Sequence, residues 1–356
     1  MVCLCGLAGR TIWCIKMNKK DHKLYIAAAM VILTILLTIV VLILESDRSK
    51  AVDEGKLVLR YGDVNPEGNI TVESAHYFAD KVKELSNGSI EIDIYTSGIL
   101  GDELQSYQQL QMGALDFYRA NGSSLSKIGD MKVEILSLPY LFRDREHFWK
   151  VCGGPIGERI LDDIEESGSQ MVGLFFLDEG VRNLMMAETP IRRMSDMKGK
   201  TIRTMVSDIL TDTISAFGAT PVVTTYAELY NTLQKEEIDG AENPVSSYYS
   251  NKFYKVAPYY IKTGHMYSPS VVVMSKITWE HLSPENREII SKAAAMTEEY
   301  NRTEIQKAED DAYGSLSEVQ VMEPEDMDQW IKAVEPVYKK YGAGNEKLIQ
   351  DIRDTK

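Results

Sequence analysis

The stretch Gly180–Tyr260 decides the reading: GVRNLMMAETPIRRMSDMKGKTIRTMVSDIL (180–210), TDTISAFGATPVVTTYAELYNTLQKEEIDGAENP (211–244) and VSSYYSNKFYKVAPYY (245–260). Two arginines stand at the ends of strand-like runs, Arg182 after the apolar MVGLFFL (171–177) and Arg203 within KTIR (200–203). An arginine where a strand meets a loop holds a carboxylate by two parallel N–H···O bonds, which a lysine cannot do. Forty residues after Arg203, within Asp239-Gly-Ala-Glu-Asn-Pro244, Asn243 can both donate and accept. Strands and helices alternate through the stretch: Thr201–Arg203, Ile209–Phe217, Pro221–Val223, Ala227–Leu233. Repeated units of this kind build sheets with helices on their faces.

The alternation continues on both sides. Upstream, Lys56–Tyr61 reads as a strand, and Val72, Ala75, Phe78, Ala79, Val82 and Leu85 fall at helical spacing before Asn87-Gly88. Ser89–Tyr95 alternates Ile90, Ile92 and Ile94 with Glu91 and Asp93, a half-buried strand. A helix at 103–112, a strand at 115–119, helices at 145–152 and 156–166 and an apolar strand at 171–176 follow. Downstream, 270–274 and 319–322 read as strands and 326–341 as a helix. Residues 284–314 read as one helix of about 30 residues, long enough to run across two domains. The fold class is α/β.

The chain is long enough for two packed domains. Leu24–Leu44 is an uncharged run of 21 residues, about 31 Å as a helix, which matches a bilayer core. Five basic residues precede it (Arg10, Lys16, Lys19, Lys20, Lys23), so residues 1–23 are expected in the cytoplasm and the bulk of the chain outside. Its exit, Leu42-Ile-Leu-Glu-Ser-Asp-Arg-Ser49, has neither a small-x-small site nor a lipid-accepting cysteine. The expectation is an uncleaved anchor, with a long signal sequence cleaved late as the alternative; residues 45–55 read as a tether. Translation from Met17 rather than Met1 stays open.

Beyond residue 45 the chain carries 34 basic and 51 acidic residues, a net charge of −17. That surface argues against a nucleic-acid partner, yet a pocket for an anion needs only one or two arginines. Three of the four cysteines (3, 5 and 14) precede the apolar run, so Cys152 has no partner for a disulfide in the exported part. The five histidines (22, 76, 147, 265, 281) are scattered, which argues against a metal cluster. Neither a phosphate-cradling glycine loop, nor Gly-x-Ser-x-Gly, nor His-Glu-x-x-His occurs. No cofactor and no catalysis are expected.

Several ordered motifs resemble the solute-binding proteins of TRAP (tripartite ATP-independent periplasmic) transporters. They are Leu100-Gly-Asp-Glu103, Leu138-Pro-Tyr-Leu-Phe142, Gly180-x-Arg182, Asp196-Met-Lys-Gly-Lys-Thr-Ile-Arg203, Phe217-Gly-Ala-Thr-Pro221, Tyr226-Ala-Glu-Leu-Tyr230, Ile238-Asp-Gly-Ala-Glu-Asn-Pro244 and Leu282-Ser-Pro-Glu285. The resemblance implies a two-lobed periplasmic-binding-protein-like fold with a long inter-lobe helix. By position, one lobe takes 56–180 and 269–308, the other 181–268 and 309–356. It further implies that Arg203 clamps a ligand carboxylate, with Arg182, Asn243 and Tyr226 beside it, and that His265 packs. Met205-x-Ser207-Asp208 and Asp63-Val-Asn-Pro-Glu-Gly68 resemble a subgroup that handles hexuronates and related sugar acids. For a polyhydroxylated ligand, Asn65, Arg119, Asn121, Ser207 and Tyr248 are the further candidates. Glu242-Asn243-Pro244 departs from that subgroup, which often has Asn-Asn after the Glu.

The implied function is an extracytoplasmic receptor that closes on an organic acid and delivers it to the TRAP permease subunits in the membrane. A sensor domain for a signalling partner and an enzyme on the same scaffold are the alternatives. Genomic neighbours separate the first two readings, and a ligand-turnover assay addresses the third.

Overall fold

In a computed structural model, residues 3–7, 12–16 and 56–356 are described. Strands β1 (Cys3–Leu7) and β2 (Ile12–Lys16) pair antiparallel. The expected anchor Leu24–Leu44, the tether 45–55 and most of the segment before them lie outside the described residues. No helix among the described residues is long and apolar enough to cross a membrane.

The unit Leu59–Lys356 is built on one mixed sheet. Its strands are β3 (Leu57–Gly62), β4 (Ile90–Tyr95), β5 (Phe117–Asn121), β6 (Met171–Met186), β7 (Thr201–Thr204), β8 (Thr220–Val223), β9 (Gly240–Pro244), β10 (Tyr259–Ser275) and β11 (Gln320–Met322). Their order is β4-β3-β5-β10-β6-β9-β7-β8, with β11 also on β10. Pairs β3–β5, β7–β8, β7–β9 and β10–β11 are parallel, as helical crossovers require.

β6 and β10 hold the architecture together. They pair antiparallel from Met171 opposite Ser275 to Met186 opposite Tyr259. β5 pairs only with 270–274 of β10, whereas β9 pairs with 182–186 of β6 and β11 with 259–261 of β10. The two ends of this long pair therefore serve two lobes. Between them the register shifts, at Ile261/Met266 and again at Tyr267/Pro269. Pro269 has no N–H to give a ladder, so it is tolerated where the ladder is already irregular. Gly180 has φ +100, and a Cβ there would meet Glu309 Oε1. Only glycine suits that combination.

The sequence-based expectation for β6 stops at residue 176 and that for β10 begins at 270, because Asp178, Glu179, Arg182 and Thr263–Ser268 interrupt the apolar runs. These polar groups are buried and bonded, so the strands continue through them. The expected helix 326–341 is two helices, Met327–Ala333 and Glu335–Tyr341, with Pro336 in the first turn of the second. A last helix, Glu346–Asp354, was not anticipated. Arg143 donates to the carbonyls of Arg353 and Thr355, and His147 Nε2 lies 2.8 Å from the Ile352 carbonyl. Lys340 and Tyr341 meet Asp212 of the helix Asp208–Ala216, so the C-terminal segment packs both there and beside Arg143 and His147.

The helix Pro284–Gly314 appears over the expected residues, 31 in all, roughly 46 Å at 1.5 Å per residue. Ser283 caps it, its hydroxyl accepting from Asn286 N, and Pro284 takes the first position, where no N–H is needed. Tyr300 stacks on Tyr77 of the helix Ile70–Leu85 (4.2 Å between ring centres). Asn301 bonds both N–H and C=O of Asp178 on β6, and Tyr313 meets Tyr260 at the far end. One helix thus runs along both lobes.

Trp330 anchors the C-terminal segment. It is fully buried, its ring centre 4.7 Å from that of Phe217 in an edge-to-face arrangement, and its Nε1 donates to Asp326. Trp330→Ala is expected to lower the unfolding free energy by ~3–5 kcal/mol, the range for a buried aromatic cut to alanine. Chemical denaturation measures this, and a loss under ~1 kcal/mol would contradict the packing.

Candidate functional site

Between the lobes lies a cleft of about 450 Å³, walled on one side by Val64, Ser97, Gly98 and Gly101–Gln105 and on the other by Arg203, Val206, Thr224–Ala227, Tyr230 and Phe253. A smaller cavity of about 30 Å³ adjoins it, and Val64, Glu103, Arg203 and Tyr226 line both. The inner cavity is walled by Asn65, Arg119, Asn121, Glu179, Arg182, Met205, Asn243 and Ser247 as well. Most of the residues singled out from sequence meet here, although they lie up to 178 positions apart in the chain (65 to 243).

Three buried arginines reach the inner cavity, and two are already neutralised within the chain. Arg119 of β5 sits between Asp63 (Nη2–Oδ1 2.9 Å) and Glu179 (Nη1–Oε1 2.8 Å). Burial works against its charge, but the two carboxylates outweigh burial and hold the guanidinium firmly protonated. Arg182 of β6 grips both oxygens of Glu242 on β9, with Nη2–Oε1 at 2.8 Å, and its Nη1 reaches Ser268 at 3.3 Å. Burial raises the Glu242 carboxyl; Arg182 and the nearby His265 more than reverse this and hold it below the usual carboxylate range. His265 is fully buried beside Phe217, with Nδ1 2.8 Å from Thr263 Oγ1 and Nε2 3.5 Å from Glu242.

Arg203 is different. It belongs to β7 and is 1% exposed, and among the described buried arginines (119, 182 and 203) only it has no carboxylate within ion-pair distance. Nε and Nη2 both donate to the Thr224 carbonyl, at 3.1 and 2.7 Å, which fixes the fork and leaves Nη1 without a partner. The Tyr226 ring lies 5.7 Å from the guanidinium carbon, and Tyr226 Oη accepts from Asn251 Nδ2. Burial pulls the Arg203 pKa down to about 10, against the opposing pull of Glu242 and Tyr226. The cation persists at neutral pH, desolvated and without an ion-pair partner. Of the buried polar atoms that have no hydrogen-bond partner among the described residues, Asn243 Nδ2 and Thr224 Oγ1 belong to residues that line the cavities, where a bound group can complete their bonding.

The remaining sequence candidates divide. Asn65 and Asn121 line the inner cavity, but their amides are engaged, Asn65 Nδ2 with Thr71 and Asn121 Nδ2 with Ser268. Ser207 does not line either cavity; it caps the helix Asp208–Ala216 by accepting from Leu210 N. Tyr248 is turned into its lobe, its hydroxyl on the Ala257 carbonyl and its ring 4.7 Å from Tyr260. For these two a polar side chain at motif spacing was spent on local structure. Conversely, Glu103, Glu179 and Thr224 line the cavities and were not singled out. Glu103 had a signal, since Asp102 and Gln105 form a capping box that starts a helix at that residue. Glu179 and Thr224 had none.

Among the described residues no cluster could hold a metal ion. The site offers a buried fork, orphaned amide and hydroxyl groups and a separate set of carboxylates, which is equipment for recognition.

A profile of the DctP family, described as bacterial extracellular solute-binding protein, family 7, matches residues 61–345. The C4-dicarboxylate-binding protein DctB of Bacillus subtilis is 30% identical over 295 residues, covering 81% of this chain and 83% of that protein. A TRAP periplasmic solute binding protein from Pseudomonas putida F1, solved with bound D-glucuronate, aligns with TM-score 0.81 at 30% identity over 84% of this chain and 97% of its own. Another, from a Bradyrhizobium species in complex with α/β-D-galacturonate, aligns with TM-score 0.80 at 33% identity over 83% of this chain and 99% of its own. With the two-lobed fold and the cleft already described, the match across 61–345 makes this chain a member of the extracellular solute-binding protein family 7 of TRAP transporters.

Proposed function

We propose that this chain captures a carboxylate-bearing small molecule, a sugar acid such as a hexuronate being favoured, on the extracytoplasmic face of the membrane and delivers it to TRAP permease subunits. The observation that carries this is Arg203: a buried guanidinium with its fork fixed, no internal carboxylate, and two orphaned polar groups beside it. A ligand carboxylate supplies the missing anion. Arg119 and Arg182, held by their own carboxylates, act mainly as fixed polar walls. The neighbours solved with D-glucuronate and D-galacturonate support a sugar acid, as do the many donors and acceptors of the inner wall.

The lobes proposed are 56–180 with 269–308 and 181–268 with 309–356, closing about the strands that cross between them. Closure removes the carboxylate and Arg203 from water, which strengthens their attraction. The chain itself does no chemistry on the ligand and needs no cofactor. The uncharged run Leu24–Leu44 is proposed as its membrane anchor.

Three outcomes follow. Arg203→Ala strands a buried anion at a cost of ~2–5 kcal/mol, so affinity for the acid should fall about 30-fold to several thousand-fold, with Arg203→Lys recovering only part. Calorimetric titration of variants with verified folds reads this, and wild-type affinity in Arg203→Ala would sink the carboxylate assignment. Small-angle scattering should give a smaller radius of gyration at saturating ligand; an unchanged value counts against hinge closure. Fractionation with N-terminal sequencing should recover the protein in the membrane with residues 24–44 intact, and a soluble form starting near Ser46 contradicts the anchor.

A further inference from the structure

Two titratable side chains without an ion-pair partner flank the junction of the two cavities. Arg203 is the cation. The other is the Glu103 carboxyl, which lines both cavities and has one long hydrogen bond, from Ser124 Oγ at 3.4 Å. Every other carboxylate of the inner site has an arginine: Asp63 and Glu179 share Arg119, and Glu242 has Arg182. Arg119 lies between two carboxylates and makes no ion pair with Glu103, although its charge still acts on the Glu103 carboxyl.

Glu103 is also held firmly. It opens the helix Glu103–Gln111, where Asp102 Oδ1 accepts from Gln105 N (2.9 Å) and Gln105 Oε1 accepts from Asp102 N (3.0 Å). The approach is made by Gly101 at φ +123, where a Cβ would collide with Gln105. A carboxylate in the first turn of a helix is favourably placed. Burial pushes the Glu103 carboxyl above its usual range, and Glu179 adds to this against the pull of Arg119, Arg203 and Arg182.

We propose that Glu103 is a specificity-determining residue that accepts hydrogen bonds from ligand hydroxyls and repels a second carboxylate, so the site takes polyhydroxylated monocarboxylates and rejects C4-dicarboxylates. This rests on Arg203 being the partner of the ligand's carboxylate. A molecule lying between the two groups presents its anion to Arg203 and its far end to Glu103. Hydroxyls satisfy an under-bonded carboxylate, whereas a second carboxylate meets a like charge with no cation free to offset it. The relatives point in both directions, one named for C4-dicarboxylates and two solved with hexuronates. Glu103 decides between them on chemistry within this chain.

The test is calorimetric titration of the full chain and its variants with D-glucuronate, D-galacturonate and succinate at neutral pH. Wild type is expected to bind a hexuronate at least about tenfold more tightly than succinate. Glu103→Gln should weaken the hexuronate about ten- to a hundredfold, as loss of a charged acceptor does, and bind succinate more tightly than wild type. Glu103→Asp keeps the charge on a shorter arm; it should weaken the hexuronate and still reject succinate, which keeps the test open if the glutamine variant folds poorly. A preference for succinate in wild type, or an unchanged affinity ratio in both Glu103 variants, overturns the role of Glu103 while leaving the carboxylate reading intact. Arg203→Ala run in parallel separates the two: retention of all three acids there overturns the underlying reading, and so does a wild type that binds none.

Discussion

The middle of the sheet carries charges, and each of them has to be compensated. Along β6, Asp178, Glu179 and Arg182 lie within five residues, all buried, in a strand that elsewhere is almost wholly apolar. An isolated buried ion costs several kcal/mol even after relaxation, and each of these three has a partner. Asp178 takes Arg145, Glu179 takes Arg119 and Arg182 takes Glu242. The partners come from a helix, from β5 and from β9, and so from both lobes. Packing of the lobes around β6 is therefore dictated by charge as much as by apolar area. Removing Glu242 would leave Arg182 without a carboxylate, a loss of ~3–5 kcal/mol at a buried site, whereas Arg119 and Arg145 each keep a second one.

Against that background Arg203 is the exception that defines the site. Its immediate shell is as ordered as that of Arg119 or Arg182, with two bonds to one carbonyl and an aromatic ring alongside. What it lacks is an anion. Its pKa falls to about 10, whereas the pKa values of the other two arginines rise, because only in their case do carboxylates outweigh burial. Among the described buried arginines the fold supplies carboxylates to Arg119 and Arg182 and none to Arg203, which is the observation behind the proposed ligand clamp. Asn243 Nδ2 and Thr224 Oγ1, both buried and unbonded, extend the same argument to neutral groups.

Much of this was legible in the sequence, and the failures share a cause. The alternation of strand and helix and the long helix 284–314 follow from local pattern, whereas the grouping of Arg203, Arg182, Asn243 and Tyr226 is what the family resemblance implies; the four line one cavity. β6 and β10 were read too short because periodicity treats Asp178-Glu179-Gly180 as an interruption, and only the partners from distant segments make those residues compatible with a strand. Ser207 and Tyr248 illustrate the converse. A serine before a helix is a cap as readily as a ligand contact, and a tyrosine on a six-residue helix can turn inward to a carbonyl nine residues on. Their direction depends on tertiary packing, which spacing does not carry. The state of Glu103 was hidden for the same reason: that it has no cation depends on Arg119 being claimed twice, by residues 56 positions before it and 60 after.

The contacts that join the lobes directly across the cleft are few and polar. Asn69 Nδ2 reaches Ser247 and Ser250, Ser123 Oγ faces Met205 Sδ, and Lys127 pairs with Asp208, whose side chain is 63% exposed. An ion pair that open to water is worth ~0–1 kcal/mol, and neutral hydrogen bonds that replace water bonds contribute about 1 kcal/mol each. These contacts alone give the closed arrangement little margin. The strands that cross between the lobes add none, since they are present whether the cleft is open or shut. If the lobes close on a ligand as proposed, what distinguishes the two states is the fate of Arg203, Asn243, Thr224 and Glu103, which water reaches in an open cleft and which stand unsatisfied in a shut, empty one. Closure without a ligand therefore carries a penalty that closure around a matching ligand does not. Under the proposed function that difference would let the same cleft open readily and yet hold its solute, because the groups proposed to bind the solute are those that make an empty closed state unfavourable.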